Sequence, residues 1–382
     1  MPWKEETVEN QRKNFVSEAI REGCNFSELC RRYGITRKTG YKWVERYMSG
    51  SGLTNQSTAP HFSPRKSSAE TEDLILSVRI AHPSWGARKI LRYLSDRGCK
   101  ALPAPSTTTE ILKRNGFVLP EESAAHTAFK RFERDQPNDL WQMDFKGHFA
   151  MLCGTRCHPL TMKDDHSRML LCLDAYENER WPSVKHSLNR VFEEYGLPMS
   201  ILCDNGPPWG DSHGGYTLFE VWMMQMDVLP IHGRPMHPQT QGKEERFHRT
   251  LNQDVIKRTA LKDLVHAQEV FDAYRYEFNH ERPHGALNLD VPAKHYRESI
   301  RRLPSEIKEP ECNCGASLRK VNCKGYISID RHRYFLGDSL VGKYMELVPC
   351  DDDQLSICYG NFIIAKLDLN DRMLVSKKIY RR

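Results

Sequence analysis

The sequence predicts a multidomain fold in which two small α-helical modules precede an α/β core and a small all-β region follows it. Apolar residues in the first 117 positions recur at helical spacing, in segments separated by Gly and Pro. Between residues 138 and 297, three strand-like runs are followed by alternating helical and strand-like runs, which is typical of a mixed sheet flanked by helices. After residue 325, five short alternating runs separated by Gly and Asp turns indicate a small β-barrel.

Composition and charge point to a globular protein with a basic first third. The 382 residues are 39% hydrophobic and 28% charged, which fits roughly two to four folded domains. Residues 1–136 contain 23 Lys and Arg against 16 Asp and Glu, whereas the remainder contains 33 against 34. We therefore expect a nucleic-acid phosphate backbone to be bound by the first third.

The sequence contains no segment typical of membrane insertion or secretion. There is no apolar run of about 18 residues and no basic leader before an apolar segment. We therefore expect a cytoplasmic protein without a membrane partner. The twelve cysteines lack the paired spacing of a zinc ribbon, and in a reducing compartment most are expected to be small buried side chains.

Residues 1–50 are predicted to form a helix-turn-helix module. A break at Gly34 separates two helical segments, and Thr36 is placed to cap the second of them, in which Val44 and Tyr47 are expected to face inward. A recognition helix presents its first turns to base edges in the major groove. The predicted DNA contacts are Arg37, Lys38, Thr39 and Lys42. A small helical bundle with a solvated basic face is the alternative.

A second helix-turn-helix module is predicted at residues 69–119, after a flexible Ser-, Gly- and Pro-rich linker at 51–68. Its third helix begins near Pro105. The predicted DNA contacts are Ser106, Thr107, Thr108 and Lys113. Two modules on a flexible tether raise each other's effective concentration on DNA. The polar residues 120–137 are predicted to connect the second module to the core.

The core at residues 138–297 has the element order of a ribonuclease-H-like fold. Strands are predicted at 140–148, 156–164, 169–176, 199–204 and 228–233. Helices are predicted at 183–196, 217–227, 242–258 and 261–279.

Three carboxylates stand at the ends of these core elements. Asp144 alternates with apolar residues of the first strand and is expected to point away from their face. Asp204 ends an apolar run, and Glu245 follows Gly242 at a helix start. Such oxygens suit Mg²⁺, and two ions about 3.5–4 Å apart can assist displacement at phosphorus. A lone Asp at a strand tip is also a common turn former, so spacing alone leaves the role of these acids open.

Five motifs, in this order, resemble those of DDE transposases with an integrase core. They are Asp144 in DLWQMDFKGHF, DHSR at 165–168, DNG at 204–206, HPQTQGKEERFH at 237–248 and NHERPH at 279–284. The chain is most similar to transposases of the IS481 group, with the IS3 group and retroviral integrases as more distant relatives. The resemblance covers roughly residues 137–297.

The resemblance implies the catalytic residues. Asp144, Asp204 and Glu245 would be catalytic and would bind two Mg²⁺ or Mn²⁺ ions per active site. The third acid is Glu245, rather than its neighbour Glu244, by the Gly-Lys-x-Glu pattern, and only this pattern separates the two.

Other side chains of the core have two interpretations each. Asp165 and Arg168 support the site in the family, or close a hairpin as an ion pair. Lys243, with His248 on the same helix, approaches a DNA phosphate or lies on a solvated surface. Trp209 stacks on a base or anchors its glycine-rich loop to the core.

Residues 316–378, after a charged linker at 298–315, are predicted to form the small β-barrel. This region resembles the SH3-like C-terminal domain of integrases and of phage Mu-type transposases. The resemblance implies contact with the DNA backbone or subunit assembly, and packing alone is equally compatible with such a barrel.

The resemblance as a whole implies an insertion-sequence transposase. It would bind terminal inverted repeats, cut DNA at the element end with water, and join the freed 3′-hydroxyl to target DNA. Joining two ends in concert implies a homo-oligomer on DNA, and the family implies a prokaryotic, nucleoid-associated location. The alternatives are a DNA-binding regulator with a silent core, and a nuclease without strand joining, which leaves the two helical modules unexplained.

Overall fold

The computed structural model describes residues 7–55, 67–118, 134–210, 215–233, 242–312, 317–351, 353–376 and 378–382. It contains two compact units, Met1–Lys66 and Ser67–Arg382. This division falls within the predicted linker at 51–68, which is only partly described, as is the predicted connector at 120–137. The predicted boundaries inside the second unit remain predictions.

The first unit consists of three helices: α1 (Val8–Ala19), α2 (Phe26–Arg32) and α3 (Arg37–Met48). Gly34 has a φ of 65°, a left-handed conformation that glycine adopts without strain in the turn before α3. Thr36 caps α3 as predicted, because its Oγ1 accepts a hydrogen bond of 3.2 Å from the backbone N–H of Thr39.

The inward face of α3 differs from the prediction. Trp43 and Gly40 are buried, whereas Tyr47 is 54% exposed and Val44 only half-buried. The cause is the close approach of α3 at Gly40, where an added Cβ would lie 2.8 Å from Sγ of Cys30. The helix therefore turns the residue three positions later, Trp43, into the core.

The second unit begins with another three helices: α4 (Ala69–Ala81), α5 (Ala87–Asp96) and α6 (Pro105–Arg114). Their core includes Ile75, Trp85, Ile90 and Ile111. Thr108 was expected to face DNA, but it is fully buried in this core and its hydroxyl donates to the carbonyl of Ala104. The prediction of a DNA contact by Thr108 is therefore corrected by the packing of α6.

These three helices pack against the α/β core through polar contacts. Arg92 of α5 lies 2.7 Å from Asp290, and His82 lies 2.9 Å from Glu277. Arg258 donates a 3.0 Å hydrogen bond to the carbonyl of Ala81. The second helical module is therefore packed on the core.

The core is a mixed sheet with the predicted element order. Its strands are β1 (Trp141–Phe145), β2 (Phe149–Ala150), β3 (Arg156–Asp164), β4 (Leu170–Tyr176), β5 (Ser200–Cys203) and β6 (Leu229–His232). The strand order is β2-β3-β1-β5-β6, with β4 also paired to β3. The β1, β3 and β4 pairings are antiparallel, and β1, β5 and β6 run parallel.

Helices cover both faces of this sheet. They are α7 (Trp181–Tyr195), α8 (Leu218–Gln225), α9 (Gly242–Leu251) and α10 (Leu264–His280). Buried residues of α7 and α8 join Trp141 and Met143 in one hydrophobic cluster, and those of α9 and α10 join Leu170 and Leu173 in another. The predicted helix at 242–258 leaves α-helical geometry after Leu251 and continues as a π-helical turn, Asn252–Ile256.

The C-terminal region is all-β, as predicted. Its strands are β7 (Ser317–Lys320), β8 (Tyr326–Ile329), β9 (His332–Phe335), β10 (Tyr344–Asp351), β11 (Gln354–Tyr359), β12 (Phe362–Asp368), β13 (Met373–Ser376) and β14 (Tyr380–Arg381). Within the described residues they form a six-stranded sheet, in the order β13-β12-β11-β10-β7 with β14 on β12, and a separate β8-β9 hairpin. A closed SH3-like barrel is thus not confirmed.

The C-terminal sheet shares its hydrophobic cluster with the α/β core. Tyr216, Val221 and Met224 of the core belong to the same buried cluster as Ile357 and Phe362 of the sheet. The two regions therefore pack as parts of one unit. None of the described helices has the length and apolar character that a bilayer crossing requires.

Candidate active site

Asp144 and Asp204 lie on neighbouring parallel strands. In the β1–β5 pairing, Trp141 is level with Ile201 and Gln142 with Leu202. Continuing this register by two residues places Asp144 level with Asp204, directly after the end of β5. Neighbouring strands lie about 4.7–4.9 Å apart, and residues at the same level point to the same face. The sheet thus places Asp144 close enough to Asp204 for the charge of Asp204 to act on it.

Asp144 faces a partly buried region between β1 and α9. Its side chain is 22% exposed, and its Oδ2 lies 3.9 Å from Nδ1 of His248. Burial, followed by the negative charges of Glu244 and Asp204, raises the pKa of Asp144 to about 7. The negative charge at this position is therefore poorly compensated by the protein alone.

Asp204 is held at the strand end by a second set of contacts. Its Oδ1 accepts a 3.1 Å hydrogen bond from the N–H of Gly206. His232 on β6 places Nδ1 2.8 Å from the carbonyl oxygen of Asp204 and Nε2 3.1 Å from Oε1 of Glu220. Burial raises the pKa of the Asp204 carboxyl above its usual value. Sequence reasoning did not identify His232 or Glu220 as supports of this acid.

The structure places Glu244, and not Glu245, beside Asp144. Glu244 has a side chain that is 2% exposed, and one of its oxygens lies 4.0 Å from Nε2 of His248. The side chain of Glu245 is 69% exposed and lies 3.6 Å from Arg249. Adjacent residues of a helix point in directions about 100° apart around its axis, so Glu244 faces the protein interior while Glu245 faces solvent.

A signal in the sequence could have indicated the inward position of Glu244. Glu244, Phe247 and Leu251 are the buried residues of α9, at the i, i+3, i+7 spacing of a helix face. Because two of the three are large apolar residues, the third shares their face. Sequence reasoning also missed Lys163 on β3, which lies 3.3 Å from Glu244.

The other predicted core residues have clear positions. Asp165 and Arg168 lie 3.9 Å apart as an ion pair, and Asp165 also accepts a 2.6 Å hydrogen bond from Gln142. Lys243 is half-buried and its Nζ lies 2.5 Å from Oδ1 of the buried Asp165, so Lys243 forms an ion pair within the protein, and its contact with a DNA phosphate remains a prediction. Trp209 is 1% exposed and contacts Phe145 with ring centroids 5.9 Å apart, so it anchors its loop to the core.

Most of the predicted DNA contacts lie on accessible surfaces of the two helical modules. Thr39 is half-buried, with its hydroxyl 2.9 Å from that of Thr36. The exposed ones are Arg37, Lys38, Lys42, Ser106, Thr107 and Lys113. These residues remain predictions for DNA binding.

The donor set at the strand ends is chemically suited to a hard divalent cation. Asp144 and Asp204 supply carboxylate oxygens, and a cation would relieve the repulsion that raises the pKa of Asp144. Among the residues that the structure describes, no group of three or more His, Cys, Asp or Glu side chains is assembled as a metal site. The structure thus places Asp144 near Asp204, but it does not place Glu245, the predicted third ligand, with them.

Known protein families match the middle of the chain. Two family models described as integrase core domain match residues 134–238 and 226–292. The central part of the chain has an integrase core fold. Asp144 and Asp204 both lie within the first matched segment of this integrase core, and Glu244 and Glu245 lie within the second.

Two curated proteins of bacterial insertion elements are similar to the chain. The uncharacterized 31.7 kDa protein of insertion element IS407 from Burkholderia multivorans is 24% identical over 182 residues, which are 48% of this chain and 61% of that protein. The uncharacterized 39.2 kDa protein of IS476 from Xanthomonas euvesicatoria is 25% identical over 165 residues, 43% of this chain and 46% of that protein. The chain thus spans about half to three fifths of the length of these two relatives. A specific link to the IS481 group is not shown.

Among solved structures, the chain is similar to the HTLV-2 integrase catalytic core domain in complex with magnesium. That match has 15% sequence identity, a TM-score of 0.33, and coverage of 43% of this chain and 99% of the other.

Proposed function

We propose that this protein is an insertion-sequence transposase that cuts DNA at the element ends and joins the freed 3′-hydroxyl to target DNA. The observation that carries the proposal is the position of Asp144 and Asp204 near the C-terminal ends of β1 and β5, which are neighbouring parallel strands of the integrase core, so that continuing their register places the two acids level. The similarity to proteins of bacterial insertion elements supports transposition as the biological context.

Divalent metal would be bound by Asp144, Asp204 and a carboxylate from the start of α9. When bound there, two Mg²⁺ or Mn²⁺ ions would supply activation of the attacking oxygen and charge stabilisation of the leaving oxygen. The protein's own residues position the reactants. His232 and Gly206 hold Asp204 at the end of β5, and Thr161 holds the backbone of Asp144 through a 2.9 Å hydrogen bond to its carbonyl.

We propose Glu245 as the third ligand. Glu244 is 2% exposed and is already in contact with the ammonium of Lys163, whereas an acid that shares a metal with DNA must be reachable from solvent. Glu245 is exposed in the same first turn of α9, and its Arg249 contact is a solvated pair that metal binding can replace.

The substitution Glu245→Gln is expected to lower strand joining by about a hundredfold or more, because an amide cannot replace a carboxylate charge at the metal. Joining is measured with duplex DNA carrying the ends of the element that encodes the chain, with Mg²⁺ or Mn²⁺ present. Glu269→Gln, which changes an exposed glutamate of α10, is the matched control and should join at the wild-type rate.

The products of the same assay separate the candidate functions. Joined product supports the transposase, cleavage without joining indicates a nuclease, and binding without cleavage indicates a regulator. Full joining by Glu245→Gln, together with loss in Glu244→Gln, would transfer the third role to Glu244.

DNA binding by α3 is expected to depend on its exposed cations. Replacing Arg37, Lys38 or Lys42 by Ala should weaken binding of end DNA and reduce the slope of log affinity against log salt by about one for each phosphate that is no longer neutralised. The measurement is a salt titration of binding by fluorescence anisotropy. Arg21→Ala, an exposed cation outside α3, serves as control, and unchanged slopes in all three α3 variants would contradict the assignment.

A further inference from the structure

A buried ion pair beneath the candidate site has no role in the chemistry described above. Nζ of Lys163 on β3 lies 3.3 Å from Oε1 of Glu244 on α9, with side chains that are 8% and 2% exposed. Each group therefore depends on the other for compensation, since an unpaired buried charge is strongly unfavourable.

Lys163 contacts the first two turns of α9 at three residues. Besides Glu244, its ammonium donates a 3.0 Å hydrogen bond to the carbonyl of Lys243. The same ammonium lies 4.7 Å from the ring centroid of Phe247, within cation–π range. One side chain from the sheet thus holds the beginning of the helix that carries Glu245.

The other oxygen of Glu244 connects this turn to β1. Oγ1 of Thr161 lies 3.3 Å from Oε2 of Glu244, 2.9 Å from Nε2 of His248 and 2.9 Å from the carbonyl oxygen of Asp144. The start of α9 is therefore fixed relative to the strand that carries the first catalytic acid. Glu245 follows Glu244 directly in the chain, so its position depends on this attachment.

We propose that Lys163 and Glu244 are a positioning pair, which holds the first turn of α9 against β3 and β1 and so sets the position of the neighbouring residue, Glu245. This inference rests on the proposed function. A buried pair of this kind specifies one arrangement of two elements, and hydrophobic residues of similar volume can replace it if both partners change together. If Lys163 and Glu244 only position α9, two apolar side chains can replace them together without loss of function. A metal ligand could not be replaced in this way.

The test compares Lys163→Met, Glu244→Met and the double variant with the wild-type protein. In hydrogen exchange without metal, each single variant should speed exchange of the α9 amides by about 100-fold, because one buried charge is left unpaired. The double variant should return to within about tenfold of wild type. Glu245→Met, the same change at the exposed neighbour, is the matched control and should leave α9 exchange unaltered.

Exchange at β4, which lies outside these contacts, separates positioning from a general loss of stability. A positioning pair predicts faster exchange in α9 with little change in β4, whereas equal acceleration in both would overturn the proposal. Unchanged α9 exchange in the single variants would overturn it as well.

Mn²⁺ titration and strand joining complete the test. The single variants should bind Mn²⁺ at least about tenfold more weakly and join less, and the double variant should recover both. A double variant as inactive as Glu244→Met, although its α9 exchange has recovered, would make Glu244 a ligand and overturn the proposal. If the wild-type protein does not join DNA at all, the proposed function fails, and the exchange results still decide whether the pair holds α9.

Discussion

Replacing Asp144 by Asn is expected to reduce both DNA cleavage and strand joining by about a thousandfold or more. Metal ions supply several kcal/mol of transition-state stabilisation in such reactions, and each 1.36 kcal/mol corresponds to tenfold in rate. Continuing the β1–β5 register places Asp144 level with Asp204 near the C-terminal ends of these strands, so Asp204→Asn should have a comparable effect. The measurement is the rate of 3′-end cleavage and joining with end DNA in saturating Mg²⁺.

DNA binding distinguishes a missing metal ligand from a damaged protein. Both variants should bind end DNA with affinities near that of wild type, because neither aspartate lies in the helical modules. Asp272→Asn, an exposed aspartate on α10, is the matched control and should retain full activity. Wild-type rates in Asp144→Asn would contradict the assignment of the active site.

The same substitution is expected to stabilise the metal-free protein at pH 8. Burial and the charges of Glu244 and Asp204 raise the folded-state pKa of Asp144 from its ordinary 3.8 to about 7. The favourable contribution of the protonated group is complete below about pH 4 and is lost as the pH rises through about 7. The wild-type protein therefore loses roughly 2–4 kcal/mol of its free energy of unfolding as the pH rises. The Asn variant does not lose this stability, because Asn has no charge to bury.

Urea unfolding in EDTA at pH 5 and pH 8 measures this effect. Asp144→Asn should exceed wild type in free energy of unfolding at pH 8 and approach it at pH 5, and Mg²⁺ should stabilise only the wild-type protein at pH 8. Asp174→Asn is the matched control, because Asp174 is also buried but lies 2.7 Å from Arg190. That variant should be destabilised, and equal losses in both variants would show that the site acids do not repel each other.

Much of the fold follows from the sequence because local patterns coincide with tertiary structure. The alternation around Asp144 placed it opposite the apolar face of β1, and Trp141 and Met143 are indeed in the core. The cap at Thr36 was predictable, since a hydroxyl before a helix satisfies a free N–H locally. The inward face of α3 was not predictable in this way, because it depends on how closely Gly40 approaches Cys30 on the neighbouring helix α2.

The choice between adjacent acids shows the same limit within the site. A motif names a position along the chain, but the side of α9 on which that position lies depends on what the helix packs against. Lys163 and Thr161 reach Glu244 from a strand about 80 residues earlier, and no local pattern connects them. Similarly, contacts such as Arg92 with Asp290 hold the second helical module on the core, and no local pattern in the sequence indicates them.

By itself, the sequence determined the order of helices and strands, with Asp144 in one strand and Asp204 at the end of another, because hydrophobic periodicity is a local property of the chain. Only the tertiary structure decided which glutamate of α9 faces Asp144, that Thr108 is buried, and that the C-terminal strands share a core with α8. Those outcomes depend on contacts between residues far apart in sequence, where the packing of one element selects the exposed face of another.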